Sequence, residues 1–147
     1  IPGIALASDV IVGYPGESNA QFERTIDLLA EIRFDVVHVA MYSPRPGTVA
    51  ATLADDVPPA VKKERLQRVE VLHEAIATEL NGALLGQTVE ILVEGRRKGK
   101  WEGRTRSNKP VFFDDEGDWL GKLAAVRGDR SGPWSLSGEV VGRCRPG

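Results

Sequence analysis

VIVGYPGES, residues 10–18, joins an apolar, β-branched segment to a turn and a helix signal. The apolar segment, residues 6–14, is typical of a buried strand, and the Pro-Gly pair after it is typical of a turn. Ser18 and Gln21 have the spacing of a capping box, which predicts a helix from about residue 19. A second apolar segment, residues 34–42, stops at SPRPGT. Strand, helix and strand in this order predict a βαβ unit with parallel strands.

The pattern beyond residue 58 predicts one more helix and then only strands. Two prolines suit the first turn of a helix from about Pro59 to Leu80, and Asn81-Gly82 is a typical stop. Its expected buried side consists of Val69, Leu72, Ile76 and Leu80. After Gly86, five short strand-like segments follow with turn signals between them. The predicted fold is α/β (residues 1–82) followed by all-β (residues 83–147), with the second domain a small five-stranded antiparallel barrel.

Composition limits the classes of protein that fit. The chain has 147 residues, 41% hydrophobic and 27% charged, which is typical of a soluble globular protein. Its single cysteine, Cys144, excludes an internal disulfide and a multi-cysteine metal or iron–sulfur site built from this chain alone. No apolar run approaches the roughly 20 residues that span a bilayer, so we expect no membrane association and a cytoplasmic location. Because the first residue is Ile1, we expect the chain to begin partway through a gene product.

Positive charge is concentrated in the second half. Residues 1–80 carry 7 basic and 12 acidic side chains, whereas residues 81–147 carry 12 and 9. Between residues 96 and 109 there is one acid, Glu102, and seven cations: Arg96, Arg97, Lys98, Lys100, Arg104, Arg106 and Lys109. On a small β-barrel this pattern favours nucleic-acid binding, because cations that neutralise phosphates gain affinity from counterion release.

Two other side chains in this stretch fit RNA. Trp101 is a candidate to stack on an unpaired base, and Asn108 to bond a base edge or a ribose hydroxyl. The alternative is a solvated hairpin with Trp101 packed inside the barrel. Trp119 and Trp134 are expected in the barrel core.

The ends of the two predicted parallel strands are a second candidate site. The glycines of VGYPG allow close approach of a ligand, and YSPRPGT holds Arg45 between two prolines where parallel α/β folds bind ligands. An ordinary strand-to-helix turn is the favoured interpretation of the first motif taken alone, and for the second a surface turn and a functional site stay open.

Three motifs together resemble a known family. DVIVGYPGES (9–18), YSPRPGT (42–48) and GRTRSNKPVFF (103–113), in that order and spacing, closely resemble the C-terminal part of the tRNA methylthiotransferases. The first two are similar to the later strands of the family's TIM-like radical-SAM barrel. The third, with GPWSLSGEVV (132–141), is similar to its OB-like, RNA-binding TRAM domain. MYSPRPGT and GRTRSNK look most like the branch that adds a methylthio group to C2 of N6-isopentenyladenosine beside the anticodon; the threonylcarbamoyladenosine branch is the alternative.

The resemblance implies cofactors and site residues. The family uses S-adenosylmethionine and two [4Fe–4S] clusters held by cysteine motifs that this chain lacks. We therefore expect this chain alone to be inactive, with no catalytic residue, no metal ligand and no bound cofactor. Likeness to the family assigns Ile11, Gly13, Met41 and Tyr42 to the neighbourhood of the S-adenosylmethionine adenine. Arg45 is expected to face RNA or cofactor, Arg104, Arg106, Asn108 and Lys109 to contact tRNA, and the other four cations to steer its backbone.

Two further hypotheses compete with an enzyme fragment. One is a free-standing RNA-binding module without catalysis, and the other is a protein-interaction domain with no affinity for tRNA. Because two parallel strands leave exposed edges, we also expect residues 1–80 to self-associate. Size-exclusion chromatography with light scattering tests that expectation.

Overall fold

The computed structural model describes residues 1–144. The chain divides into two compact units, one formed by Ala5–Ile76 and the other by the residues from Ala77 onward together with Ile1–Ile4. The predicted domain boundary after residue 82 stays a prediction, and residues 145–147 of the predicted second domain lie outside the described residues.

The first unit has the predicted strand–helix–strand–helix order. Strand β1 pairs in parallel with β2, with Ala7 opposite Val36 and Val12 opposite Met41. The capping box is formed: Ser18 Oγ accepts from Gln21 N at 3.2 Å, and Gln21 Oε1 accepts from Ser18 N at 2.8 Å. The elements are β1 (Ala7–Val12), α1 (Asn19–Ile32), β2 (Val36–Met41), a 3₁₀ helix (Val49–Thr52) and α2 (Pro59–Gly82).

One face of the two-stranded sheet is buried under the helices. Val12, Phe22, Leu29 and Val69 form the buried cluster of this unit, and Val10, Val37 and Val39 pack against it. Ile11 lies on the opposite face and is 59% exposed, as the two-residue period of a strand requires. The first unit supplies two parallel strands, so the complete TIM-like barrel is an inference from the family resemblance alone.

The second unit is a ring of five strands. The order is β3-β4-β5-β7-β6, and β3 also pairs with β6, which closes the barrel. Its strands are β3 (Thr88–Arg97), β4 (Lys100–Thr105), β5 (Pro110–Phe113), β6 (Leu123–Ser131) and β7 (Leu136–Arg143).

The expectation of an entirely antiparallel barrel is wrong. Four of the pairings are antiparallel, but β5 and β7 run parallel, with Val111 opposite Leu136. The reason is geometric: strand directions around a closed ring can alternate throughout only if the number of strands is even. Five strands must include one parallel pair.

The barrel interior is apolar and includes two of the three tryptophans. Its buried residues are Ile91, Val93, Trp101, Val111, Phe113, Trp119, Ala124, Val126 and Leu136. The prediction for Trp119 is confirmed, but Trp134 is 61% exposed in the β6–β7 turn. Its expected place in the core is wrong, because the tight turn that holds it lies outside the strands whose alternate residues point inward. Among the described residues, no helix is long and apolar enough to cross a membrane.

Candidate nucleic-acid interface and strand-end pocket

The cations at residues 96–109, called here the basic hairpin, lie around two turns, one at each end of β4. The first is a tight two-residue turn between β3 and β4. Arg97, the last residue of β3, pairs with Lys100, the first residue of β4. Lys98 and Gly99 between them have φ values of 50° and 85°. Positive φ at both central positions is the signature of a type I′ turn, whose twist matches that of the flanking strands. The turn therefore holds Arg97, Lys98 and Lys100 at an exposed hairpin tip.

Alternation along β4 separates the hairpin's cations from the core. Trp101 and Gly103 are buried, whereas Lys100, Glu102 and Arg104 are at least partly exposed. A side chain at Gly103 would force the backbone to shift, since an added Cβ would lie 2.5 Å from the carbonyl oxygen of Leu92 on β3. Lys100 and Arg104 consequently share the outer surface of β4.

Carboxylates pair with at least four of the seven cations. Arg104 Nε lies 3.3 Å from Glu94, Arg106 Nη2 lies 2.9 Å from Glu90, and Lys100 Nζ lies 2.9 Å from Asp114. Arg97 is 3.9 Å from Glu102. Three of these acids lie outside the 96–109 stretch, so the sequence count of one acid underestimates the negative charge beside the hairpin. Because all four cations are exposed, each pair contributes at most about 1 kcal/mol and can be exchanged for a phosphate.

The position of Trp101 rules out its predicted role. It is 8% exposed, and its indole N–H donates to the Asp115 carbonyl oxygen at 3.0 Å. The Arg96 guanidinium covers its ring at 4.4 Å from the ring centroid. A base cannot stack on Trp101 without displacing Arg96, so the expectation is wrong and the packing alternative is correct. Inward alternation along β4 is the physical reason.

The turn after β4 projects Arg106 into solvent. Asn108 N donates to the Thr105 carbonyl oxygen at 2.9 Å, and Asn108 itself has a left-handed φ of 61°. Arg104 Nη1 donates to the Asn108 carbonyl oxygen at 3.2 Å. These bonds fix the turn while leaving the Arg106 side chain 90% exposed. Asn108 is also exposed, as a base-reading role requires.

Lys109 is directed to a different partner. Its Nζ donates to Asn81 Oδ1 at 2.5 Å, and Asn81, at the end of α2, is 2% exposed. Asn81 is a functional candidate that sequence reasoning missed, because it was assigned only as a helix stop. The sequence carries no signal of its burial, because Asn81-Gly82 has the pattern of an ordinary helix stop.

The ends of β1 and β2 form a pocket of about 300 Å³. Four of the predicted residues line it: Ile11, Met41, Tyr42 and Arg45. Tyr42 packs edge-on against Tyr14 at 5.4 Å between ring centroids, and among the described residues its hydroxyl has no hydrogen-bond partner. The walls are mostly apolar and aromatic, which suits a flat, partly apolar ligand.

Gly13 has a structural role in a turn. It is absent from the residues lining the pocket, and the aliphatic stem of Lys62 lies where a Cβ at residue 13 would point. Its N–H donates to Glu17 Oε1 at 2.9 Å, and its φ of 74° makes the turn into α1. In this structure Gly13 shapes the turn into α1, and its predicted place beside a cofactor stays a prediction.

Two buried cations beneath this pocket were also missed. Lys62 is 6% exposed, with Nζ 2.6 Å from Asp55 Oδ1 and 3.3 Å from the Tyr42 carbonyl oxygen. Arg65 is 5% exposed and bonds Glu17 Oε1 at 2.5 Å. Lys62, Arg65 and Val69 are spaced by three and four residues, so they lie on one face of α2. The two cations were missed because the buried face was predicted from apolar residues only. Among residues 1–144, no group of acids, histidines and cysteine is arranged to hold a metal ion.

Comparison with known proteins gives two findings. Residues 82–141 match the TRAM domain family. Over 94–97% of its length, the chain is similar to proteins named tRNA-2-methylthio-N(6)-dimethylallyladenosine synthase: 54% identical to those of Chloroflexus aurantiacus and a Roseiflexus species, and 49% to that of Herpetosiphon aurantiacus. The chain spans 30–33% of the length of these relatives. The resemblance to the tRNA methylthiotransferases is confirmed.

Proposed function

We propose, from the match of residues 82–141 to the TRAM family and the resemblance of the chain to the methylthiotransferases, that it is the tRNA-holding part of such an enzyme. The whole protein would add a methylthio group to C2 of N6-dimethylallyladenosine, which is another name for N6-isopentenyladenosine. The observation that carries the proposal is the shared name of relatives at 44–54% identity. That name favours this branch over the threonylcarbamoyladenosine branch.

The basic hairpin is the proposed contact for the tRNA backbone. Arg104 and Arg106 are held by Glu94 and Glu90, whose side chains are 51% and 31% exposed, so a phosphate can replace either carboxylate without leaving a fully buried charge unpaired. The exchange keeps each arginine neutralised and releases counterions from the RNA, which supplies the affinity. Glu94 and Glu90 would therefore compete with the RNA for the two arginines.

Titration of labelled tRNA at two salt concentrations tests the proposal. The double variant Arg104→Ala/Arg106→Ala should bind more weakly, with a log–log salt slope smaller by about 1.4–1.8, since each phosphate contact contributes about 0.7–0.9. Arg127→Ala is the matched control, because that exposed arginine also pairs with a carboxylate, Glu139 at 3.2 Å, but lies outside the basic hairpin. Glu94→Gln should bind tRNA more tightly than the wild type. Salt-independent binding, or equal losses in the double variant and the control, would contradict the proposal.

We further propose that the strand-end pocket accepts the adenine of S-adenosylmethionine in the whole enzyme. Ile11, Met41 and Tyr42 supply apolar and aromatic walls, and the unpartnered Tyr42 hydroxyl offers a bond to a polar edge. When bound, S-adenosylmethionine supplies the radical that removes the C2 hydrogen. A [4Fe–4S] cluster needs several cysteine ligands, and this chain has one cysteine. Both clusters would therefore be held by residues of the whole enzyme that this chain does not include. A cytoplasmic location follows from a tRNA substrate.

The alternative hypothesis, a free-standing RNA-binding module, predicts the same tRNA affinity. The gene sequence upstream of this chain distinguishes it from the enzyme hypothesis. Cluster-binding cysteine motifs there support the enzyme, and their absence supports the module. Self-association of this chain stays a prediction: within the described residues, β1 and β2 pair only with each other.

A further inference from the structure

The turn between β6 and β7 presents an exposed aromatic ring. Trp134 is 61% exposed, whereas Trp101 and Trp119 are 8% and 6% exposed. The turn is closed by a bond from Gly132 N to the Ser135 carbonyl oxygen at 3.0 Å. Pro133 fixes φ immediately before the tryptophan. A large ring held outward on a rigid turn loses little conformational entropy when it binds a partner.

A single buried side chain joins this turn to the basic hairpin. Asn81 Nδ2 donates to the carbonyl oxygens of Gly132 at 2.7 Å and Pro133 at 3.1 Å. Its Oδ1 accepts from Lys109 Nζ at 2.5 Å. The backbone beside Trp134 and the last cation of the hairpin are therefore bound to opposite ends of one amide group. This places the turn that carries Trp134 beside Lys109, whose neighbour Asn108 accepts a bond from Arg104.

We propose that Trp134 is the platform on which an unpaired base of the bound RNA stacks, while the basic hairpin holds phosphates of the same strand. The inference rests on the proposed function and adds the form of RNA that this surface recognises. Bases within a duplex are already stacked on their neighbours, so only an unpaired base can offer its face to the indole. Every base has such a face, so the contact adds affinity with little preference for sequence.

Fluorescence anisotropy of a labelled, unstructured RNA oligonucleotide and of a blunt RNA duplex of equal length tests the proposal on the full chain. Trp134→Ala should weaken binding of the unstructured RNA about 5- to 150-fold, the equivalent of about 1–3 kcal/mol for one stacked base. Trp134→Phe should retain most of the affinity. Leu120→Ala is the matched control, because Leu120 is 59% exposed in the β5–β6 connection and its loss should leave binding unchanged. The salt slope should be the same in all four proteins, since stacking neutralises no phosphate.

Intrinsic fluorescence gives a readout that does not depend on the alanine variant. Stacking should quench the emission of wild-type Trp134 as unstructured RNA is added, and Trp134→Phe should show no quenching because Trp101 and Trp119 are buried. Unchanged affinity of Trp134→Ala with a normal salt slope would overturn this inference and leave the proposed function standing. An equal loss on the duplex would also overturn it. No RNA binding by the wild type would instead refute the proposed function.

Discussion

Replacing Arg65 with methionine should severely destabilise the first unit. Arg65 is 5% exposed, and its guanidinium donates to Glu17 Oε1 at 2.5 Å, the Glu17 carbonyl oxygen at 3.1 Å and Asn19 Oδ1 at 2.8 Å. The Glu17 side chain is 13% exposed. Methionine fills most of the space but leaves the Glu17 carboxylate without its cation. Removing one partner of a buried pair costs about 3–5 kcal/mol.

Arg68 provides a matched control on the same helix. It also pairs with a glutamate, Glu23 at 2.6 Å, and both arginines lie over the Phe22 ring, 5.0 and 5.4 Å from its centroid. The Arg68–Glu23 pair differs in being exposed, so Arg68→Met should change stability little. Burial is therefore the main difference between the two substitutions.

Urea unfolding can be followed separately in the two units. All three tryptophans lie in the second unit, so their fluorescence reports the barrel, whereas circular dichroism at the helix band reports mainly α1 and α2. With a slope of about 1 kcal/mol per molar urea, Arg65→Met should lower the dichroism midpoint by about 3 M or abolish the transition. The double variant Arg65→Met/Glu17→Gln should recover part of the loss, because no uncompensated charge remains. Equal effects of Arg65→Met and Arg68→Met, or no recovery in the double variant, would refute this reasoning.

Two further predictions concern stability. Burial lowers the pKa of His73, whose Nε2 accepts from Val37 N at 3.1 Å. The unfolded state therefore takes up a proton first as the pH falls below about 6.5, the ordinary pKa of histidine. The dichroism midpoint in urea should be lower at pH 5.5 than at pH 7.5, and His73→Gln should remove most of that difference. Gly103→Ala should cost the barrel about 1–3 kcal/mol by tryptophan fluorescence, because its Cβ would meet the Leu92 carbonyl oxygen. Gly142→Ala, with nothing within 4 Å of its Cβ, should change the free energy of unfolding little; equal effects of the two would contradict the steric argument.

Local signals predicted the elements of the fold well. The capping box at Ser18 and the parallel pairing of β1 with β2 were confirmed, because both depend on residues close in sequence or on a short connection. The tight turn at Lys98-Gly99 likewise has the local chemistry that a hairpin needs. The parallel β5–β7 pair was missed because strand order around a ring depends on contacts between distant segments.

The candidate site was predicted less well, for the same physical reason. The cations of the basic hairpin were found by counting charge along the chain, but their carboxylate partners Glu90, Glu94 and Asp114 are set by strand register. The positions of two tryptophans are the reverse of those predicted: Trp101 is buried and Trp134 is exposed. Alternation of polar and apolar residues in KWEGR was the signal that Trp101 points inward, and the Gly-Pro before Trp134 was the signal of an exposed turn.

The carboxylates beside the basic hairpin bear on how an RNA-binding surface acquires selectivity. Unpaired arginines bind any polyanion, and that binding depends on charge rather than on the arrangement of phosphates. When an arginine is already paired with a glutamate, the binding free energy gained from a phosphate is only the difference between the two ion pairs. A polyanion whose phosphates are poorly placed therefore displaces the glutamate poorly. Arg104 is held in addition by the Asn108 carbonyl oxygen, which fixes its guanidinium before RNA arrives. On the proposed RNA-binding surface, the acids should reduce binding to randomly placed phosphates more than binding to phosphates spaced like the arginines. Glu94→Gln should therefore raise affinity for a random polyanion such as heparin more than affinity for tRNA.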